Sequence, residues 1–228
     1  MISMGVPVLV MGFSGSGKSS SLRNFNKNEV GVFSVAGKRL PFRNDLSVAD
    51  MESKRYEYAE NGHTFNPYQY IMAAMKSSKL RCFVIDDSQY LMSFEEMDST
   101  KTGFDKFNSI GFNFVGLVRF VRSQLPKDTI VYFLHHSEYD DNGRLKPKTI
   151  GKLIDNHFTL EGLFEIAITS DYEKGEYIFR TRTDGMTPFK NPPDMLPDVM
   201  PNDLKQADSA IRDYWSMLPL VDEGGDSQ

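Results

Sequence analysis

Gly12, Gly17, Lys18 and Ser19 stand in the order G-x-x-x-x-G-K-S within "MGFSGSGKSS", residues 11–20. Those residue types at that spacing suit the holding of a nucleotide's phosphates. Gly12, Gly15 and Gly17 let the backbone take positive φ and approach a ligand closely. The N–H groups of Phe13, Ser14, Gly15, Ser16, Gly17, Lys18, Ser19 and Ser20 can then turn into one concavity that fits an anion. Lys18, expected to stand exposed in an empty loop, reaches the β- and γ-phosphates, and the Ser19 hydroxyl takes a place on Mg2+. A Gly/Ser-rich turn with no ligand is the competing reading.

Two further runs supply groups that such a loop needs. "CFVIDD", residues 82–87, is an apolar strand ending in carboxylates. Asp86 is placed to hold Mg2+ through its water shell, and Asp87 to orient or deprotonate the attacking water. A turn or helix-capping carboxylate is the alternative for Asp87. "FLHHSE", residues 133–138, ends another strand in a histidine pair. Successive side chains point to opposite faces of a strand, so at most one ring senses the γ-phosphate, and His136 is preferred. The alternative is a strand-end histidine without a role. "YDDNGRLKPKTIGKLID", residues 139–155, then carries Arg144, Lys146, Lys148 and Lys152. This basic loop suits DNA phosphates, or a positive finger on a neighbouring subunit's nucleotide, or plain solvation. After Asp87, Phe94, Phe104 and Phe107 mingle with Lys101 and Lys106, a mixture suited to stacking single strands. Glu95, Glu96, Asp98 and Asp105 dilute it.

These groups must be carried on strand ends. Strand-like runs occur at Val6–Met11, Val30–Val35, Leu80–Ile85 and Ile130–Leu134. Helices are expected at Ser19–Phe25, Ala49–Glu60, Pro67–Ser77 and Phe104–Leu125. Alternation of the two predicts a parallel sheet with crossover helices. The last helix is apolar at Phe107, Ile110, Phe114, Leu117, Val118, Val121 and Leu125, a stripe widened by Phe112, Val115 and Phe120. Beyond residue 160, "LFEIAIT" and "EYIFRTRT" flank "SDYEKG" as an antiparallel hairpin. "TPFKNPPDMLPDVMP" reads as a surface loop, and "NDLKQADSAIRDYWSML" as a terminal helix. The acidic end, 221–228, is expected to be disordered.

The 228 residues suit one α/β domain over 1–228, with a C-terminal extension from about residue 185. A net charge of −5 argues against constitutive coating of nucleic acid. Cys82 lies in an apolar run, and one cysteine with four histidines gives no zinc spacing. No apolar run reaches membrane-spanning length and no signal-peptide pattern opens the chain, so the expectation is a cytoplasmic protein without a membrane partner. N-K-x-D, which would read guanine, does not occur, and no arginine-rich lid marks a small-molecule kinase.

With "GFSGSGKS", "FVIDDSQYLM", "FLHHSEYDDNG", "KTIGKLIDNHFTLEGLF" and "YIFRTRTDG" in place, the chain resembles the short RecA-core ATPases of bacteriophages. These are AAA-type domains linked to single-strand-annealing recombination. The resemblance implies a RecA-like P-loop NTPase core: a mainly parallel sheet flanked by helices, with a C-terminal antiparallel hairpin and a terminal helix. It implies ATP and Mg2+ as ligands, with Gly12 to Ser19 on the triphosphate, Asp86 on the metal side and His136 as sensor. The loop from Ser137 to Lys152 would face DNA. Single-stranded DNA, a single-strand-binding protein and further copies of the chain are the implied partners, in the host cytoplasm. Two features depart from the pattern. "FSVAGKRLPF" has no carboxylate where a RecA recombinase carries its catalytic acid, so hydrolysis would fall to Asp87 or be slow. The glycine-rich loop also begins close to residue 1, so no polymerisation segment is expected before it. The rival function is an ATP-dependent regulator or assembly switch acting on a protein.

Overall fold

The computed structural model describes residues 4–100, 103–150, 155 and 159–221. Its centre is a sheet whose first strand, β1 (Val6–Gly12), is buried along its whole length. Strands β2 (Gly31–Ser34), β3 (Ser47–Asp50), β4 (Cys82–Asp86), β5 (Ile130–Tyr139), β6 (Leu145–Pro147), β7 (Ile166–Glu173), β8 (Glu176–Arg180) and β9 (Val199–Pro201) follow. They pair in the order β3-β2-β4-β5-β1-β7-β8-β9, with β6 returning antiparallel along the end of β5. From β3 to β7 every pairing is parallel, and β8 and β9 add antiparallel strands at one side. The fold is thus a mixed α/β arrangement with a mostly parallel sheet flanked by helices.

Alternate residues of the central strands enter two separate cores, as strand geometry requires. Leu9, Met11, Phe33, Ile85 and Phe133 face helices α1 (Met51–Glu60), α2 (Pro67–Ser77), α3 (Tyr90–Asp98) and α4 (Gly103–Gln124). Val8, Val10, Val32, Val84, Tyr132 and Leu134 face the terminal helix α5 (Leu204–Tyr214). Helix starts follow local chemistry. Asp50 and Asp203 each accept two main-chain N–H bonds from the first turn of their helices. Asn66 caps α2, whose first residue is Pro67.

Several expectations need correction. Ser19–Phe25 does not form an α-helix; a single 3-10 turn spans Ser19–Leu22. Three consecutive serines explain this, because their hydroxyls compete for main-chain partners. The Ser21 hydroxyl, for example, donates to the Lys18 carbonyl at 2.6 Å. Residues 47–50 form a short, half-exposed edge strand ahead of α1, too polar to announce itself as a strand. Helix α3 occupies the stretch after Asp87 in which Phe94 was read as a stacking aromatic. Phe94 there stacks on Tyr90 and also meets the Arg55 guanidinium. The proline-rich segment is not wholly superficial, since Met195, Leu196 and Met200 are buried in the second core. Phe112 is 74 % exposed rather than part of the buried stripe of α4. Lys152 and residues 222–228 lie outside the described residues, so the readings made on them stop at the sequence. Among the described residues, no helix is long and apolar enough to cross a membrane.

Candidate functional site

Parallel register brings the chemistry-bearing residues to one edge. Gly12 pairs with His136 across β1 and β5, and Ser34 pairs with Asp86 across β2 and β4. The loops leaving these strands therefore meet at their carboxyl ends, where open α/β sheets place their ligands.

The glycine-rich loop has little freedom. Gly15 and Gly17 hold φ of 79° and 96°, in the left-handed region that favours glycine. A Cβ on Gly12 would lie 2.3 Å from the Ser16 hydroxyl and 2.6 Å from the Ser170 carbonyl. One on Gly17 would lie 2.6 Å from the Tyr177 ring. The loop is also fastened from β7: the Ser170 hydroxyl donates to the Ser16 carbonyl at 2.6 Å, and the Asn202 amide donates to the Ser170 hydroxyl at 2.8 Å.

Lys18 is not exposed, as the sequence suggested, but 6 % exposed. Its ammonium donates to the carbonyls of Gly12 and Phe13, both at 2.9 Å. Burial lowers its pKa to about 8, a fall limited by Asp87 and Asp86. Ser16 Oγ is buried without a hydrogen-bond partner. Phe13 points outward and packs on Tyr139, ring centroids 5.2 Å apart.

Ser19 Oγ stands 2.9 and 3.0 Å from the two carboxylate oxygens of Asp86, joining residues 67 apart in sequence. Burial, with the adjacent Asp87 charge, raises the Asp86 pKa to about 6. Asp87 behaves oppositely. Burial alone would raise it, but hydrogen bonds with His136 and Lys38 overcome that and hold it at about 2. His136 Nε2 lies 3.2 Å from Oδ1, and Lys38 Nζ donates to Oδ2 at 2.9 Å. Asp87 also has φ of 59°, unusual for a non-glycine residue and a strained state of the kind that clusters at functional sites. Its carbonyl accepts from Tyr90 N at 3.0 Å, so the residue is a turn carboxylate as well as a site member. The run "VAGKRLPF" after β2, which has no carboxylate, contributes Lys38.

His135 lies on the other side of the strand and is fully buried. Burial lowers its pKa to about 4, so the ring is neutral at pH 7. Nε2 donates to the Lys148 carbonyl at 2.8 Å, which leaves Nδ1, 2.9 Å from Ser88 Oγ, as an acceptor. It fastens the return strand of the β5–β6 hairpin. That hairpin is the expected basic loop. Arg144 and Lys148 are exposed on it, but Lys146 is bound by Asp155 at 2.6 Å and Glu138 at 3.1 Å. Lys146 is therefore an internal tie and a poor partner for DNA phosphates.

Sequence reasoning missed Lys38, Ser170, Tyr177 and Asn202. The positive charge in "AGKRL" was the one available signal; Ser170 and Tyr177 meet the loop more than 150 residues away in sequence, and Asn202 acts on it through Ser170. No protein-family model matches this chain, and no curated protein matches it.

Proposed function

We propose that the chain binds ATP with Mg2+ on the Gly12–Ser20 loop, hydrolyses it slowly, and uses the nucleotide state to govern contact with single-stranded DNA, as the phage RecA-core ATPases that it resembles would. The observation that carries the reading is the contact of Ser19 with both oxygens of Asp86 beneath a loop holding Lys18. Paired hard oxygens beside a buried ammonium suit a Mg-triphosphate. The partnerless Ser16 hydroxyl and the left-handed backbone at Gly15 and Gly17 suit the same ligand.

Bound Mg2+ would neutralise phosphate charge and polarise the γ-phosphoryl group. The chain's own residues do the rest. Lys18 exchanges two carbonyl acceptors for phosphate oxygens. Ser19 and Asp86 would hold the metal side. Asp87 is a weak base at a pKa of about 2, so its part is to orient a water rather than to hold its proton. Lys38 and His136 keep that carboxylate in place. The β5–β6 hairpin begins directly beyond His136, so a change at His136 reaches Tyr139, Arg144 and Lys148 through one strand.

The protein-switch reading retains one specific support. Lys146 is neutralised internally, which removes a cation from the DNA-facing set and fits the net charge of −5. Fluorescence anisotropy of labelled single-stranded DNA, with a non-hydrolysable ATP analogue, with ADP and without nucleotide, separates the two. Binding only with the analogue supports DNA handling. Binding in no state moves the function to a protein partner.

A further inference from the structure

We propose that the cavity beyond Ser20, walled by Tyr177 of β8 and Phe42 of the segment after β2, is the seat of the nucleobase. The proposal rests on the reading of residues 12–20 as the phosphate loop and adds where the rest of the ligand lies.

The direction of the ligand follows from charge. Asp86, Asp87, Lys38 and His136 all lie on the β4–β5 side of the loop, which sets the metal and the terminal phosphate there. The nucleoside end must leave the other way. Ser20 follows the metal-side Ser19 and opens into a cavity of about 670 Å3. That volume falls within the ~300–1,000 Å3 of small-molecule sites.

The walls suit a flat heterocycle. Tyr177 stands against Gly17, so its ring is fixed relative to the phosphate loop. It is 43 % exposed and also lines the cavity. Its cross-strand neighbour Tyr172 packs on the ring, centroids 4.8 Å apart, and Asn202 N donates to its carbonyl at 3.1 Å. Phe42 and Pro41 add apolar surface. Arg23 lies at the rim, its guanidinium held by the carbonyls of Ser20 at 3.1 Å and Asn202 at 2.8 Å. Fixed aromatic faces beside a planar cation favour stacking, which tolerates different bases because every base has a π-face.

Calorimetric titration of ATP and of inorganic tripolyphosphate, each with Mg2+, tests this. The wild-type protein should bind ATP more tightly than tripolyphosphate. Tyr177→Ala should weaken ATP about five- to hundredfold, the range for loss of one base–aromatic stack, and leave tripolyphosphate within about twofold. Tyr177→Phe should restore ATP binding. Phe42→Ala, which does not touch Gly17, should reproduce the selective loss. Equal weakening of both ligands by Tyr177→Ala would mean that the ring only supports the loop, and the base seat would be overturned. Unchanged ATP affinity in both alanine variants would overturn it too. If the wild-type protein binds tripolyphosphate but gains nothing from the nucleoside, the base seat fails while the phosphate loop stands. If it binds neither, both fail.

Discussion

Asp86 and Asp87 are adjacent carboxylates held in opposite senses. The Asp86 pKa is raised from 3.8 to about 6, so the folded chain takes up its proton more readily than the unfolded chain does. Its contribution to stability is greatest below pH 3.8 and is lost as pH rises through about 6. At pH 7.5 the ligand-free fold therefore carries a penalty on the order of 2–3 kcal/mol at this side chain. Asp86→Asn should raise the melting temperature at pH 7.5, with the gain shrinking towards pH 4, and should abolish the Mg2+ dependence of ATP binding. Thermal melts across that range check it, and a lower melting temperature than wild type at pH 7.5 would count against it. The Asp87 pKa is lowered to about 2, so its contribution is present above pH 3.8 and fades as pH falls through about 2. Asp87→Asn should destabilise the fold at pH 7.5, leave Mg-ATP binding within a few-fold, and slow hydrolysis by up to about a hundredfold, the cost of a misplaced reactant. Single-turnover and binding assays on one preparation separate those effects. The carboxylates were visible in the sequence as the end of an apolar strand. Their opposite behaviour was not, because it depends on Lys38 and His136, 49 residues away on either side.

At the scale of elements, the β5–β6 hairpin carries the DNA hypothesis. Only Arg144 and Lys148 remain exposed cations on its described part. Changing both to Ala should weaken single-strand binding and reduce the slope of log K against log salt by about 1.4, at about 0.7 per phosphate contact. Lys146→Ala should leave that slope unchanged, because its charge is already met by Asp155 and Glu138. A slope unaltered in the double variant would remove the hairpin from the DNA surface. The strands behind the site could be read in advance because a parallel strand buried on both faces is a continuous apolar run, as in "VPVLVM" and "CFVID". The hairpin's return strand could not. "LKP" carries no strand period, and its place depends on His135 bonding to the Lys148 carbonyl. The 3-10 turn after the glycine-rich loop was likewise hidden, since residue spacing suggested a helix that three serines do not sustain.

Over the whole molecule, one buried ionic network fixes the second core. Arg212 Nε donates to Asp208 at 2.5 Å, and the Tyr132 hydroxyl donates to the same carboxylate at 3.0 Å. The guanidinium also bonds the carbonyls of Asp128, Arg81 and Leu218. Helix α5 is thereby locked to β5, and Asn202, just before α5, braces the glycine-rich loop through Ser170. Removing one partner leaves the other charge buried, so Arg212→Ala or Asp208→Ala should each cost about 3–5 kcal/mol in urea unfolding. A loss below 1 kcal/mol would show that the network is not structural. The sequence placed α5 by its apolar side but gave no hint that Asp208 and Arg212 turn inwards. The claim on which the functional account stands is that Lys18 holds phosphate. Titration of wild-type and Lys18→Ala protein with a fluorescent ATP analogue and Mg2+ tests it most directly. The wild type should bind saturably, and the variant should lose at least a hundredfold in affinity with an unchanged circular dichroism spectrum. Affinity within a few-fold of wild type would contradict the assignment of residues 12–20 as a phosphate site.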